Sequence, residues 1–199
     1  MHEMICDACG QMTAQHNIVF YKSESNDYRP LCNRCVNAKV ARRAGLETFE
    51  TLEFQPVVLS DARGENHTFH FRPRLFGTGV AIDAFELQDG DPFGYQFQVI
   101  DKPEADLFLL LGKLIEKIRR GISVKYIEET AYGLQIVDSP GGKNRIQGMI
   151  ECDLDCPNDR VPRMVIDGRE ITWTELGHML MTFEGWQFKL EIFDKADEP

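Results

Sequence analysis

Long apolar runs are missing from this sequence of 199 residues. The longest covers residues 107–111, whereas a helix that spans a bilayer needs about 20 consecutive apolar residues. The first five residues also lack the basic and apolar stretches of a secretory signal. We therefore expect a cytoplasmic protein that makes no membrane contact.

The sequence also lacks the short motifs by which many enzymes are recognised. Neither G-x-S-x-G, H-E-x-x-H, a phosphate-binding loop nor a dinucleotide fingerprint is present. His67 and His70 could act as bases or metal ligands, but they face opposite sides of a predicted strand, and His178 lies on a distant predicted helix. We expect a non-catalytic protein, with an enzyme site assembled from distant residues left open.

Basic residues are fewer than acidic ones and are unevenly distributed. The chain has 22 Lys and Arg against 32 Asp and Glu, for a net charge of -10. Residues 1–45 hold six basic against four acidic residues, and residues 46–199 hold 16 against 28. Because so acidic a body repels phosphate backbones, any contact with nucleic acid must be made by the first 45 residues.

Four of the six cysteines stand in two pairs near the start of the chain. Cys6 and Cys9 form one C-x2-C pair, Cys32 and Cys35 form the other, and 22 residues separate the pairs. Each pair brings two sulfurs to one side of a tight turn, so together they can complete a tetrahedral four-thiolate site. The spacing predicts one structural zinc ion, with disulfide pairing or chance spacing as the alternatives, and a reducing compartment favours the metal.

The residues around the second pair predict a small hairpin and a helix. Residues 17–22 and 27–31 flank the polar stretch 23–26, and residues 36–44 form a helical stretch that Gly45 caps. The order of knuckle, hairpin, knuckle and helix resembles the treble-clef class of zinc fingers. Because that class serves DNA, RNA and protein partners alike, the resemblance implies a zinc-binding module without choosing its partner.

Basic residues cluster on the predicted helix of the module. Lys39, Arg42 and Arg43 share one helix face, and Arg29 and Arg34 lie nearby in sequence. These cations could contact a nucleic-acid backbone, or they could form a solvated face that favours the helix C-terminal dipole. We expect a protein partner, and nucleic-acid binding through Arg34, Lys39, Arg42 and Arg43 is the alternative.

The rest of the chain alternates between strand and helix patterns. Period-two runs and turn residues predict a meander of strands near residues 57–59, 68–72, 80–87 and 94–100. Later runs predict a short helix at 123–130 and strands at 133–137, 145–153, 163–166, 169–171 and 186–192. Asp167 and Gly168 supply a tight hairpin turn between two of these strands.

Two amphipathic helices are predicted to pack against the sheet. The first covers residues 102–120, with Asp101 as its N-cap, an apolar stripe beginning at Leu107, and Gly121 at its end. The second covers residues 172–183, with Thr172 and Glu175 as a capping box. Its predicted buried residues are Trp173, Leu176, Leu180 and Phe183.

Cys152 and Cys156 form the remaining cysteine pair. The strand predicted for residues 145–153 puts Cys152 on one face with Ile150, where a free cysteine behaves as a small hydrophobe. A second metal site formed with the neighbouring aspartates is the alternative, although that run lacks the central glycine and the terminal glutamate of a calcium loop.

The C-terminal third resembles a group of bacterial proteins of unknown function. The segments 165–171, 175–177 and 183–188, which read VIDGREI, ELG and FEGWQF, carry the resemblance. Those proteins combine an N-terminal four-cysteine zinc module with a C-terminal α+β domain. The resemblance implies this domain organisation and no activity.

These patterns together predict an α+β protein of two parts. Residues 1–45 form a treble-clef-like zinc module, and residues 46–199 form an antiparallel-sheet domain packed with helices. The expected function is non-catalytic protein binding or an adaptor role with one structural zinc ion. A nucleic-acid-binding regulator and an unrecognised enzyme are the alternatives.

Overall fold

The structure is a computed structural model that describes residues 3–22, 27–46, 49–137, 144–152 and 161–197. In the module and the central sheet the strands are β1 (Glu3–Ile5), β2 (Met12–Ala14), β3 (Ile18–Lys22), β4 (Tyr28–Cys32), β5 (Val57–Ser60), β6 (Asn66–Phe76), β7 (Gly79–Gln88) and β8 (Asp91–Asp101). They are followed by β9 (Ile127–Thr130), β10 (Gly133–Ile136), β11 (Met149–Cys152), β12 (Pro162–Ile166) and β13 (Arg169–Thr172). The helices are α1 (Asn33–Ala44), α2 (Leu107–Ile122) and α3 (Trp173–Met181). All strand pairs are antiparallel, so the predicted α+β class is confirmed.

A four-stranded meander of β5, β6, β7 and β8 forms the centre of the body, as predicted. Asp89 and Gly90, with φ angles of 55° and 98°, make the two-residue turn between β7 and β8. Cross-strand pairs such as Phe71 with Ala84 and Leu75 with Val80 put apolar side chains on one face of the sheet. That face forms the main core with α2.

Helix α2 begins and ends later than the sequence pattern predicts. Its N-cap is Asp106, whose side chain accepts hydrogen bonds from two backbone N–H groups of the first turn. The predicted N-cap Asp101 is therefore wrong, because Asp101 still belongs to β8, and the helix continues past Gly121 to Ile122. The predicted apolar stripe is confirmed, with buried side chains at Leu107, Leu110, Leu114, Ile118 and Ile122.

Helix α1 covers an open edge of the central sheet. Strand β5 pairs with only the first part of β6, so the later backbone groups of β6 face outward. The Asn37 side chain takes the place of a neighbouring strand, because its Nδ2 donates to the Pro73 carbonyl at 2.9 Å and its Oδ1 accepts from the Leu75 N–H at 2.9 Å. Asn33 Nδ2 donates to the same carbonyl at 2.7 Å. The N-terminal module is thus joined to the body by specific hydrogen bonds.

Substituting Asn37 is expected to weaken this junction. Asn37 is 1% exposed, so Asn37→Ala leaves the Leu75 N–H buried without an acceptor. We expect the free energy of unfolding to fall by about 2 kcal/mol in a urea titration. Arg42→Ala, at an exposed position of the same helix, is the matched control and should cost less than about 0.5 kcal/mol. Equal losses for the two variants would contradict the role assigned to Asn37.

A second contact joins the module to the face of the sheet that points away from α2. The Arg72 guanidinium donates to the His16 carbonyl at 2.6 Å, and the His16 Nδ1 atom lies 3.2 Å from the Gly90 carbonyl oxygen. Asp83 holds the neighbouring cations, since its carboxylate accepts hydrogen bonds from Arg72 and Arg74. The module therefore contacts both the edge and one face of the sheet.

The C-terminal part contains two small sheets and α3. The tight turn between β12 and β13 is confirmed, with Asp167 and Gly168 at φ angles of 53° and 72°. The capping box of Thr172 and Glu175 is also confirmed. The short helix predicted at 123–130 is wrong, because residues 127–130 form β9 and pair with β10.

Three predictions in this part are wrong in whole or in part. Of the buried face predicted for the last helix, Leu176 and Phe183 are half-buried, whereas the Trp173 and Leu180 side chains are exposed, and Met179 is the buried residue of α3. In β11 the exposed residues are Ile150 and Cys152, so Cys152 does not belong to a core. Residues 186–192 form no strand, because no strand of the described chain pairs with them.

No helix in the described part of the chain is both long and apolar enough to cross a membrane.

Candidate metal centre

The two C-x2-C pairs meet between the first hairpin and the start of α1. Cys6 follows β1, and Gly10, with a φ of 72°, closes the turn that carries Cys9. Cys32 ends β4, and Cys35 lies in the first turn of α1. The four sulfur atoms all lie within 4.8 Å of one another. The predicted ligands are therefore brought together in space.

The distances between the sulfurs fit a shared metal ion. A tetrahedral site with metal–sulfur bonds of about 2.3 Å separates its sulfurs by about 3.8 Å. The Cys9 and Cys32 sulfurs are 3.9 Å apart. A disulfide requires a sulfur–sulfur distance of about 2.05 Å, and these four cysteines form no disulfide. The four cysteines could therefore bind a metal ion.

Backbone N–H groups surround the buried end of the cluster. The Cys32 N–H donates to the Cys6 sulfur at 3.2 Å. Burial raises the pKa of the Cys6 thiol, but hydrogen bonds from the N–H groups of Cys32, Cys9 and Ala8 outweigh it and lower this pKa to about 6. Burial raises the pKa of Cys32 and of Cys35. A cation that replaces the thiol protons would stabilise all four thiolates together.

The basic residues of the module are mostly engaged with its own side chains. The Lys39 ammonium lies 5.2 Å from the centre of the Tyr21 ring, and the Arg43 guanidinium lies 5.7 Å from it. Arg34 donates to the Gln11 side chain at 2.8 Å. Arg42 is exposed on α1. Lys39 and Arg43 do share a helix face, but that face lies against Tyr21.

A second cluster lies where the central sheet meets the C-terminal part, and the sequence analysis missed it. The Asp61 carboxylate is fully buried and lies 2.7 Å from the Lys125 ammonium. Its other oxygen accepts from the N–H groups of Arg63 and Glu65 at 2.8 and 2.9 Å. Burial raises the pKa of Asp61, but Lys125 and the two N–H groups outweigh it, so this pKa lies below its usual value.

His67 extends this cluster towards a second carboxylate. Its Nε2 atom lies 3.6 Å from Asp61, and its Nδ1 atom lies 2.8 Å from the Glu86 carboxylate. The ligand atoms of Asp61, Glu65 and His67 lie within 4.8 Å of one another, which is compatible with a metal ion. Because the Lys125 ammonium already neutralises Asp61, we interpret the cluster as a buried ion-pair network.

A cavity of about 540 Å³ adjoins the cluster. Its wall includes His67, Lys125 and the turn at residues 167–169. The Asp167 carboxylate accepts from the N–H groups of Tyr126 and Ile127 at 2.8 and 2.9 Å, and burial raises its pKa. The Asp167 bonds thus join the turn before β13 to the start of β9, and the Asp61–Lys125 pair joins this region to the central sheet.

The other predicted candidates do not converge on a site. His67 and His70 lie on opposite sides of β6, as predicted, and His178 is exposed on α3. Cys152 is exposed, and Cys156 lies outside the described residues. Only two signals in the sequence marked the Asp61 cluster, namely the turn at residues 61–64 and the histidine after it.

The chain was compared with known proteins. Profiles of three families match it, each described as a domain of unknown function: DUF7685 over residues 5–47, DUF7686 over residues 50–123 and DUF7713 over residues 127–197. No curated protein and no solved structure matches the chain. The four cysteines lie in the first matched segment, and Asp61 and His67 lie in the second. The chain is thus similar to three domain families, none of which assigns a reaction to either cluster.

Proposed function

We propose that Cys6, Cys9, Cys32 and Cys35 hold one structural zinc ion in a treble-clef-like module. The sulfur distances support this proposal, because zinc prefers tetrahedral thiolate ligands. Four protein ligands complete the tetrahedron and leave no position for a substrate or an activated water. The proposed role of the metal is therefore to hold the two hairpins and α1 together.

We further propose that this module docks another protein, and one observation carries the proposal. Large apolar side chains are exposed on both metal-linked hairpins. Ile5 and Met12 are direct cross-strand partners and are 58% and 56% exposed. Phe20 and Tyr28 on the second hairpin are 58% and 66% exposed. Aromatic residues and Met are enriched in protein interfaces, and apolar surface gathered on one small module is typical of a docking site.

Binding of nucleic acid has weaker support. Lys39 and Arg43 stack on Tyr21, and releasing them to reach phosphates would sacrifice those contacts. The body is strongly acidic and adds long-range repulsion. Three to five phosphate contacts per chain are few for tight binding to duplex DNA at physiological salt. A nucleic-acid-binding regulator is therefore the second candidate function.

The docking proposal predicts that polar substitutions on the hairpins abolish partner binding. We expect Ile5→Ser with Phe20→Ser to reduce recovery of specific partners at least about tenfold in quantitative affinity purification, because buried apolar residues supply much of the binding free energy. Metal content should be unchanged, since neither side chain is a proposed ligand. Val58→Ser with Ile100→Ser is the matched control, because both residues are exposed on the body.

Two outcomes would count against docking through the module. The first is an unchanged set of partners for the hairpin variant, and the second is an equal loss for the control. Sub-micromolar binding to duplex DNA that weakens steeply with salt would favour the nucleic-acid alternative instead.

A further inference from the structure

The most exposed apolar segment of the described chain is residues 186–193, which follow α3. Trp186, Phe188, Leu190 and Ile192 recur with period two and are 68%, 89%, 72% and 73% exposed. Gln187, Lys189 and Glu191 occupy the alternate positions. Such alternation is typical of a strand with one buried face. No strand in the described part of the chain pairs with this segment.

The structure holds segment 186–193 at both ends. At its start the Trp186 N–H donates to the Phe183 carbonyl at 2.9 Å, and the two rings pack edge to face with 5.6 Å between centres. After its end the Lys117 ammonium donates to the carbonyls of Lys195, Ala196 and Asp197 at 3.0, 3.0 and 2.7 Å.

Lys195 in turn donates to the Gln96 side chain at 3.0 Å. The segment is therefore a tethered strap, and pairing it with a partner would cost less conformational entropy than pairing a frayed tail.

The strap exposes enough apolar surface to form part of an interface. The rings of Trp186 and Phe188 alone expose on the order of 300 Å² in one chain. Leu190 and Ile192 add to this exposed apolar surface, and part of it lies between the strands when two straps pair. Surface of this kind favours association over solvation.

The strap is complementary to a second copy of itself in one antiparallel register. If Leu190 lies opposite Leu190 of the other copy, Phe188 lies opposite Ile192, and Lys189 lies opposite Glu191. Within residues 188–192 each apolar residue then meets an apolar residue. Lys189 and Glu191, which form an ion pair within one chain, each meet the opposite charge across the strands as well. Centring the pairing on Lys189 would instead put two ammonium groups directly opposite each other.

We propose that the chain forms a two-fold dimer in which residues 188–192 pair antiparallel with the same residues of a second copy. This surface is separate from the metal-linked hairpins, so the dimer does not depend on docking by the module. Pairing supplies the strand neighbour that the strap lacks within the described chain, and it brings apolar side chains of the two copies into cross-strand contact. The bond network at residues 195–197 keeps each strap in place for pairing.

Charge reversal tests both the dimer and its register. In sedimentation equilibrium we expect the full-length wild type to dimerise, and Lys189→Glu and Glu191→Lys each to raise the dissociation constant about tenfold or more, because each creates two like-charged cross-strand pairs. Mixing the two single variants should restore association as a heterodimer, and the double swap should restore the homodimer.

The control has the same charge change elsewhere. Lys102→Glu alters an exposed residue outside the strap and should leave the dissociation constant unchanged. A monomeric wild type would overturn the proposal. So would a dimer that resists both single reversals, since it must associate through another surface. Weakening by both reversals without rescue on mixing would overturn the register.

Discussion

Removal of the metal is expected to unfold the β1–β2 and β3–β4 strand pairs while β7 and β8 remain folded. About 40 residues bury too little apolar surface to fold alone, and a structural zinc ion contributes about 10 kcal/mol or more in small modules. Hydrogen exchange after chelation should therefore show loss of protection for amides in β3 and β4. The central sheet has its own core with α2 and should keep its protection.

One amide reports on the junction between the module and the body. The Leu75 N–H is bonded to the Asn37 side chain of α1, so its exchange should accelerate if α1 separates from the sheet. Cys32→Ser should reproduce the effect of chelation. Cys152→Ser is the matched control, because Cys152 is exposed and lies outside the proposed site. Full protection of β3 and β4 in the metal-free protein would contradict a structural role for the metal.

Breaking the buried Asp61–Lys125 pair is expected to cost nearly as much as a large core truncation. Asp61→Asn leaves the Lys125 ammonium, which is 13% exposed, without its counter-ion. The expected loss in the free energy of unfolding is about 3–5 kcal/mol at neutral pH, measured by urea denaturation. Combining it with Lys125→Met should recover part of the loss, because the uncompensated charge is then removed.

The Asp61–Lys125 pair also predicts how the stability of the protein depends on pH. The folded pKa of Asp61 lies below its usual value, so its contribution to stability is fully present above the unfolded pKa, near 3.9. That contribution is lost as the pH falls through the folded value. The stabilities of wild type and Asp61→Asn should therefore differ most near neutral pH, and the difference should shrink progressively as the pH falls below about 4. A difference that stays constant with pH would show that Asp61 acts through packing alone.

The sequence predicted the features that short stretches specify. The C-x2-C spacing brought four sulfurs together, Asp167 and Gly168 made their turn, and Thr172 with Glu175 made its cap. Each depends on residues close in sequence or on a recurrent metal spacing. Such signals can be recognised without knowledge of the tertiary fold.

The features that depend on tertiary neighbours could not be predicted. Asp101 and Asp106 both suit a helix N-cap, and only the pairing of β8 with β7 decides between them. Asn37 matters because β5 leaves part of β6 uncovered, and no local pattern marks that edge. Asp61 and Lys125 are 64 residues apart in sequence, and only the fold makes them a pair.

The strand predicted at residues 186–192 was wrong for a related reason. Its period-two pattern predicts a strand, but the pattern cannot identify the neighbouring strand with which it would pair. In the described chain that face remains exposed. The proposed dimer supplies the missing neighbour from outside the chain.

X-ray absorption at the zinc edge of the purified full-length protein tests the proposed metal centre most directly. We predict one zinc ion per chain with four sulfur neighbours at about 2.3 Å and no oxygen or nitrogen ligand. Cys152→Ser should leave the spectrum unchanged, and Cys35→Ser should remove a sulfur or abolish binding. Protein without zinc, or zinc bound by oxygen and nitrogen ligands, would contradict a closed four-cysteine site.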